Sequence, residues 1–269
     1  MKKFEGVLLA CDMDGTLLDS DRRISPRNEQ ALRHFTEQGG LFSLATGRAP
    51  KAILAYLPQL PFNAPYSLLN GSLVMDEQHK VLRCAGMPAD TKELISVALS
   101  TFSQIGCEIF VDDRILIRQM GEVTAEHLRI LKLDYELVAQ DELGDTAGWC
   151  KINLTGDPAV MRQLRELLQP YADRFCISSS MPSFCEITAL GVHKGTALRS
   201  IAARCGVAEQ NIYAVGDSYN DEMMLRTAHI GFAPQNAETD IVKVADVVVC
   251  DNNRGAVADA VEWLDKQYT

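Results

Sequence analysis

Two carboxylates two residues apart, Asp12 and Asp14, stand directly behind the apolar run Val7-Leu8-Leu9-Ala10, with Gly15 and Thr16 following. Such a run reads as a buried strand, and Asp-Met-Asp-Gly behind it reads as the turn into which the strand breaks. Removing a carboxylate from water costs several kcal/mol or more unless a cation or a positioned proton compensates it. A hard ion that prefers oxygen ligands, Mg2+, is the natural compensator. An Asp held in this way can attack phosphorus and form an aspartyl phosphate, and a second Asp can protonate the departing oxygen. The stretch points to a buried strand that delivers phosphoryl-transfer chemistry at its carboxyl end.

The remaining composition narrows the setting. A chain of 269 residues, 47% apolar and 23% charged, suits an ordinary globular protein of one large or two smaller domains. With 26 basic against 36 acidic residues the net charge is −10, and no Lys/Arg run offers a footprint for nucleic acid or an anionic membrane. No apolar stretch approaches the roughly 20 residues that span a bilayer, and the run before Asp12 falls short of a signal-peptide core. The eight cysteines show no C-x-x-C pair and no grouping with the five histidines. They read as small, mostly buried apolar residues of a reducing compartment, the cytoplasm, in preference to a zinc site or a disulfide framework.

Along the first 75 residues strand and helix patterns alternate. Ser25-Pro26 opens a helix with Ala31, Leu32 and Phe35 as its stripe, and Gly39-Gly40 ends it. Leu41 to Ala45 is a second strand, running into Thr46-Gly47-Arg48. Pro50 opens another helix, and Tyr66 to Leu69, Asn70-Gly71 and Ser72 to Met75 read as strand, tight turn, strand. Repeated strand-helix-strand units predict a parallel α/β sheet. Between about residue 84 and residue 187 the grammar becomes helix followed by paired strands, twice over, which predicts an α+β insert with an antiparallel sheet. Asp90 with Glu93 looks like a capping box there. From Lys194 the α/β alternation returns: helix Thr196 to Cys205, strand Ile212 to Val215, helix Asp221 to Thr227, strand Val247 to Cys250 and helix Ala256 to Leu264.

A second acidic cluster, Asp217-Ser218-Tyr219-Asn220-Asp221, also follows an apolar strand. Sites in open α/β sheets form outside the carboxyl ends of strands, so this cluster and Asp12/Asp14 can converge and together predict a Mg2+ site. Thr46 and Gly47 offer a hydroxyl and flexible backbone to a phosphate oxygen, and Lys194 a mobile ammonium. Each has a plainer reading: Thr46 and Asp217 as helix N-caps, Asp221 as a first-turn acid, Lys194 as a solvent-facing lysine. Arg48 is balanced between structure and substrate. Trp149, Met181, Asp112 and Arg114 fall at turns or strand ends of the insert and are candidates for lining a substrate pocket, with core packing or plain exposure the plainer reading of each.

Asp12-Met13-Asp14-Gly15-Thr16, Ala45-Thr46-Gly47-Arg48, Lys194-Gly195 and Gly216-Asp217 through Asn220-Asp221 resemble, in this order, the four motifs of the haloacid dehalogenase (HAD) superfamily. The insert falls between the second and third motifs, as in the Cof-type, type IIB branch. The resemblance implies a Rossmann-like core, residues 1–83 and 190–269, carrying a mobile C2B-type cap over 84–189. It implies a Mg2+-dependent phosphatase of small phosphorylated metabolites, with sugar phosphates foremost and pyridoxal phosphate or flavin mononucleotide as further candidates. Asp12 is then the nucleophile and Asp14 the acid and later base. Mg2+ is then held by Asp12, the Asp14 backbone carbonyl and Asp217, with Asp221 in support, while Thr46, Gly47, Lys194 and Asn220 hold the phosphate. Rival readings are a phosphomutase or phosphotransferase of the same fold, and a ligand-binding regulator without turnover. The expected assembly is a monomer or small homo-oligomer. Two departures stand out: Pro234-Gln235 replaces a flexible Met-Gly pair and stiffens that loop, and His193 occupies a position where small polar residues are frequent.

Overall fold

The computed structural model describes residues 2–111 and 114–268. The turn at Asp112-Asp113, and with it Asp112 as a lining residue, lies outside the described residues. The chain divides into two compact units: Met1–Gly47, Leu54–Leu82 and His193–Thr269 form one, Arg48–Ile53 and Arg83–Val192 the other.

In the first unit the opening apolar run is strand β1 (Leu8–Cys11), buried at all four positions. Helix α1 (Pro26–Glu37) starts where its capping chemistry dictates: the Ser25 hydroxyl accepts the Asn28 N–H at 3.2 Å, and Pro26 fills the first helical position. Strand β2 (Leu41–Leu44) follows. The helix expected from Pro50 is absent, and two short 3-10 turns, Pro50–Ile53 and Leu57–Gln59, stand in its place. Pro58 lacks the N–H that a longer helix would use, and Leu60, ahead of Pro61, is extended (φ −99°, ψ 128°), which ends the second turn. Strands β3 (Tyr66–Leu68), β4 (Leu73–Met75) and β5 (Val81–Cys84) make a three-stranded sheet in that order. Three consecutive left-handed residues, Leu69, Asn70 and Gly71 (φ 50°, 58° and 95°), join β3 to β4. The sequence reading missed β5, whose largely exposed residues carry no buried-strand signal.

The second unit contains α2 (Thr91–Thr101), β6 (Gly106–Val111), β7 (Arg114–Gln119), α3 (Glu122–Leu131), β8 (Glu136–Leu137), β9 (Trp149–Thr155), α4 (Pro158–Leu168), β10 (Phe175–Ser178) and β11 (Phe184–Ala189). Its sheet runs β10-β11-β9-β6-β7-β8, antiparallel except for the short β7/β8 pair. Strand alternation gives the sheet two characters. Ile109, Ile152, Leu154 and Ile187 pack into one apolar core with Leu94 and Ile95 of α2 and Leu164 of α4. The in-between residues Glu108, Lys151, Asn153 and Glu186 are buried too, on the opposite face. The capping box expected at Asp90 is not formed: its carboxylate makes no cap hydrogen bond and pairs with Arg174 instead.

Returning to the first unit, the chain lays down α5 (Lys194–Arg204), β12 (Ile212–Val215), α6 (Glu222–Leu225), β13 (Ile230–Pro234), α7 (Thr239–Val244), β14 (Val247–Val249) and α8 (Ala256–Gln267). Strands run parallel in the order β14-β13-β12-β1-β2. Leu8 and Ala10 of β1 share a core with Leu198 and Ile201 of α5 and with Ile212 and Ala214 of β12. Cys11 is level with Val215 on one side and Leu44 on the other, so three strands end at one edge. The helix expected over Asp221 to Thr227 shrinks to a 3-10 turn (Tyr219–Asp221) and the single turn of α6.

Candidate active site

Asp12, Asp217 and Asp221 converge at that sheet edge, each buried and each offering a carboxylate oxygen within 4.8 Å of the others. Asp12 is placed by β1 and by its own N–H, which donates to the Val215 carbonyl of β12 at 2.9 Å. Lys194, at the first turn of α5, reaches between them and donates to Asp12 Oδ1 at 2.6 Å and Asp221 Oδ1 at 2.7 Å. The mobile ammonium expected from the sequence is instead fully buried and fixed by two ion pairs. Burial alone would favour its neutral form, but Asp12 and Asp221 reverse that and hold it charged, above the usual lysine range.

Among the described residues the cluster sets three buried carboxylates against this ammonium, so that its fully ionised form carries two negative charges in excess. Burial pushes Asp12 well above the usual carboxylate range; Lys194 draws it back, while Asp221 and Asp217 push it further up. Burial, and next the charge of Asp221, push Asp217 up to about 7. An all-oxygen donor set with surplus negative charge fits a hard divalent cation such as Mg2+.

The turn Met13–Leu17 wraps the cluster, closed by Leu18 N–H donating to the Met13 carbonyl at 2.9 Å. Gly15 is left-handed (φ 76°), and a Cβ there would collide with the Asp217 carboxylate, so both conformation and space demand glycine. Thr16 Oγ1 donates to Asp217 Oδ1 at 2.7 Å and Ser218 Oγ to Asp217 Oδ2 at 2.9 Å, which orients that carboxylate. Asp221 is oriented by the Asp217 and Ser218 N–H groups, both 3.1 Å from its Oδ2. Asp14, on the same turn, is exposed and its carboxyl group lies outside the cluster of three.

Thr46 is buried behind β2, with its N–H on the Ser67 carbonyl at 3.0 Å. Its carbonyl accepts the Asn70 N–H at 3.1 Å, and Asn70 Oδ1 accepts from Asn220 Nδ2 at 3.2 Å. Half-buried Gly47 follows Thr46, while Arg48 belongs to the second unit and donates to the Ala52 carbonyl at 3.1 Å. Asn70 was missed as a site residue. Asn-Gly signalled only a turn, although the left-handed position it fills is what aims its amide at Asn220.

Both departures find local explanations. Pro234 ends β13, its carbonyl accepts the Ala237 N–H at 2.9 Å, and Asn236 donates to the Gly15 carbonyl at 2.8 Å, so the stiffened loop buttresses the Asp turn. His193 is the N-cap of α5. Its Nδ1 accepts the Thr196 N–H at 3.2 Å, while Thr196 Oγ1 accepts the His193 N–H at the same distance. Burial and Arg199 both depress its pKa below 6.5. Protonation at Nδ1 removes the acceptor, so this contribution is whole above pH 6.5 and is lost as the pH falls through the lower folded value. Urea titrations from pH 8 to pH 5 should show a loss of about 1 kcal/mol, the usual worth of an N-cap, that His193→Asn lacks. Parallel curves for the two proteins would refute the capping role.

Elsewhere, Trp149 is core in the second unit, Met181 is exposed, and Arg114 is exposed and pairs with Glu136 at 3.5 Å. The polar sheet face went unread because its strands look simply apolar. There Lys151 pairs with Glu186 at 2.8 Å, and Glu108 accepts from Asn153 at 2.9 Å beside His127. The residue-by-residue alternation in Cys107-Glu108-Ile109 and Lys151-Ile152-Asn153 was the available signal.

Comparison with known proteins gives this geometry its family. Residues 9–261 match the model of the haloacid dehalogenase-like hydrolases. The 5-amino-6-(5-phospho-D-ribitylamino)uracil phosphatase YcsE of Bacillus subtilis is 25% identical, over 96% of this chain and 95% of its own. The HMP-PP phosphatase of Serratia proteamaculans is 28% identical, over 97% and 96%. Among solved structures, the HAD subclass IIB sugar phosphatase BT4131 shares the fold with a TM-score of 0.85 at 22% identity, over 96% of this chain and 99% of that one. No helix among the described residues is long and apolar enough to cross a membrane. With the family model running almost end to end, the chain belongs to the haloacid dehalogenase-like hydrolases, as a phosphatase of the Cof type.

Proposed function

We propose that the protein hydrolyses phosphomonoesters of small metabolites with Mg2+ as cofactor, through an aspartyl phosphate on Asp12. The observation that carries this reading is the surplus of buried negative charge at Asp12, Asp217 and Asp221, set at strand ends beside a locked ammonium. Asp12, Asp217 and the Asp14 backbone carbonyl would hold the ion, with Asp221 in support. Once bound, Mg2+ supplies Lewis-acid neutralisation of charge on the transferring phosphoryl group. Asp12 attacks phosphorus in line with the ester oxygen. Lys194 keeps Asp12 oriented and neutralises charge on the phosphoryl oxygens, while Thr46, Gly47 and Asn220 position the phosphate. Asp14, exposed two residues further along the turn, protonates the leaving oxygen and then deprotonates the water that cleaves the intermediate.

The relatives' names support a small phosphorylated metabolite, with sugar phosphates the first class to test. A panel of phosphorylated sugars, pyridoxal phosphate and flavin mononucleotide should release phosphate with Mg2+ and fall to background with EDTA. Release undiminished by EDTA would refute the metal reading, and transfer to a second sugar with little free phosphate would replace hydrolase by phosphotransferase. Asp14→Asn should lower turnover by about 10^2- to 10^4-fold, the range for losing a positioned proton donor. Loss should be smaller for aryl phosphates, whose leaving groups need less protonation; turnover within twofold of the parent on alkyl phosphates would remove Asp14 from that role.

A further inference from the structure

We propose that Cys84 and Cys150 are a redox modification site, a dithiol that low-molecular-weight disulfides convert reversibly into an intramolecular disulfide. Their sulfurs lie 2.8 Å apart, within about 0.8 Å of the ~2.05 Å of a disulfide bond. Backbone contacts on either side hold them there. Met87 N–H donates to the Thr146 carbonyl at 3.2 Å, and Thr146 Oγ1 returns bonds to the Met87 and Pro88 carbonyls at 3.2 and 3.1 Å. Between them Gly86 lies so close to the Ala147 carbonyl that a Cβ would collide with it. The segment from Cys84 to Pro88 is thereby fastened along the chain entering β9, and closure of the bond needs little backbone movement.

Access is asymmetric: Cys84 is exposed and Cys150 buried. That suits ordered exchange. The Cys84 thiolate attacks one sulfur of glutathione disulfide, the S–S bond breaks, and one glutathione thiolate leaves. The Cys150 thiolate then attacks the Cys84 sulfur and expels the second glutathione. Two protein thiols are oxidised, one glutathione disulfide is reduced to two glutathiones, and the two thiol protons pass to the released thiolates. The bond joins positions 66 residues apart and pins the end of β5, just past the point where the chain enters the second unit, to β9. Closing so long a loop restricts the unfolded chain and raises resistance to unfolding.

The test exposes the full-length protein to a series of glutathione disulfide to glutathione ratios, alkylates remaining thiols and maps the peptides by mass spectrometry. Expected is the loss of two of the eight alkylatable thiols, with Cys84 and Cys150 peptides joined and lighter by two hydrogens, fully reversed by dithiothreitol. Cys150→Ser should stop at a stable glutathione adduct on Cys84, and Cys84→Ser should show neither product. Oxidation should raise the urea midpoint of the parent and leave that of each variant unmoved. The proposal fails if the parent ends with glutathione on Cys84 or joins a different pair. It also fails if all eight thiols survive excess glutathione disulfide, or if the joined protein unfolds at the same urea concentration as the reduced one.

Discussion

Asp12→Asn is expected to reduce phosphate release by about 10^4-fold or more, equivalent to about 5.5 kcal/mol of barrier, while the protein remains folded and becomes more resistant to heat in the absence of metal. The two effects share a cause. In the proposed mechanism the carboxylate is the attacking group, and an amide of the same shape would supply no nucleophile. It is also one of three buried negative charges beside a single ammonium among the described residues, so neutralising it relieves repulsion from Asp217 and Asp221. Lys194 still finds an acceptor in the amide oxygen and in Asp221. Steady-state phosphate release and thermal unfolding in EDTA measure the two arms. A variant with near-parental turnover would displace Asp12 as the nucleophile, and a lower metal-free unfolding temperature would show that its charge stabilises the fold.

Lys194→Met acts in the opposite sense on stability. Methionine nearly fills the lysine volume, so packing changes little, but three buried carboxylates lose their ammonium. Removing one partner of a buried ion pair typically costs about 3–5 kcal/mol, and the metal-free variant should unfold at correspondingly lower urea. Mg2+ should recover part of the loss, since a ligand that binds only the folded state at 100 times its dissociation constant contributes about 2.7 kcal/mol. Turnover should stay depressed even with Mg2+, because on the proposed mechanism the metal would replace charge at the carboxylates without replacing the ammonium at the phosphoryl oxygens. Urea denaturation with and without Mg2+ tests this directly. Equal metal-free midpoints for parent and variant would mean that the ion pairs carry no net stability.

The features legible in the sequence were those with a local cause. Ser25-Pro26 starts a helix because an N-cap and a proline at the first helical position act within one turn, and the helix begins there. The two acidic clusters were visible because Asp is conspicuous behind an apolar strand. Features decided by distant partners were not visible. Strand β13 hides behind Gly231 and Pro234, which argue against a strand until β12 and β14 flank it. The burial of Lys194 cannot be read at position 194, since surface lysines are common in helices; it follows from carboxylates contributed by two other strand ends. Asp90 shows the converse error, a local capping signal overruled by Arg174, 84 residues away.

The central pairing of β1 with β12 joins strands about 200 residues apart, with the whole second unit encoded between them. On the ribosome this imposes a delay. At roughly 5–20 residues per second, β1 emerges on the order of 10–40 s before β12, and in that interval it can pair only with β2. Asp12 spends this time without Lys194, Asp217 or Asp221. The nascent chain therefore presents an unpaired apolar strand edge, a template for wrong partners, at the strand on which the site depends. Contacts so distant in sequence also slow folding. A truncated chain that stops before Lys194 retains Asp12 without its ammonium partner, and should depend on chaperones far more than the completed protein does.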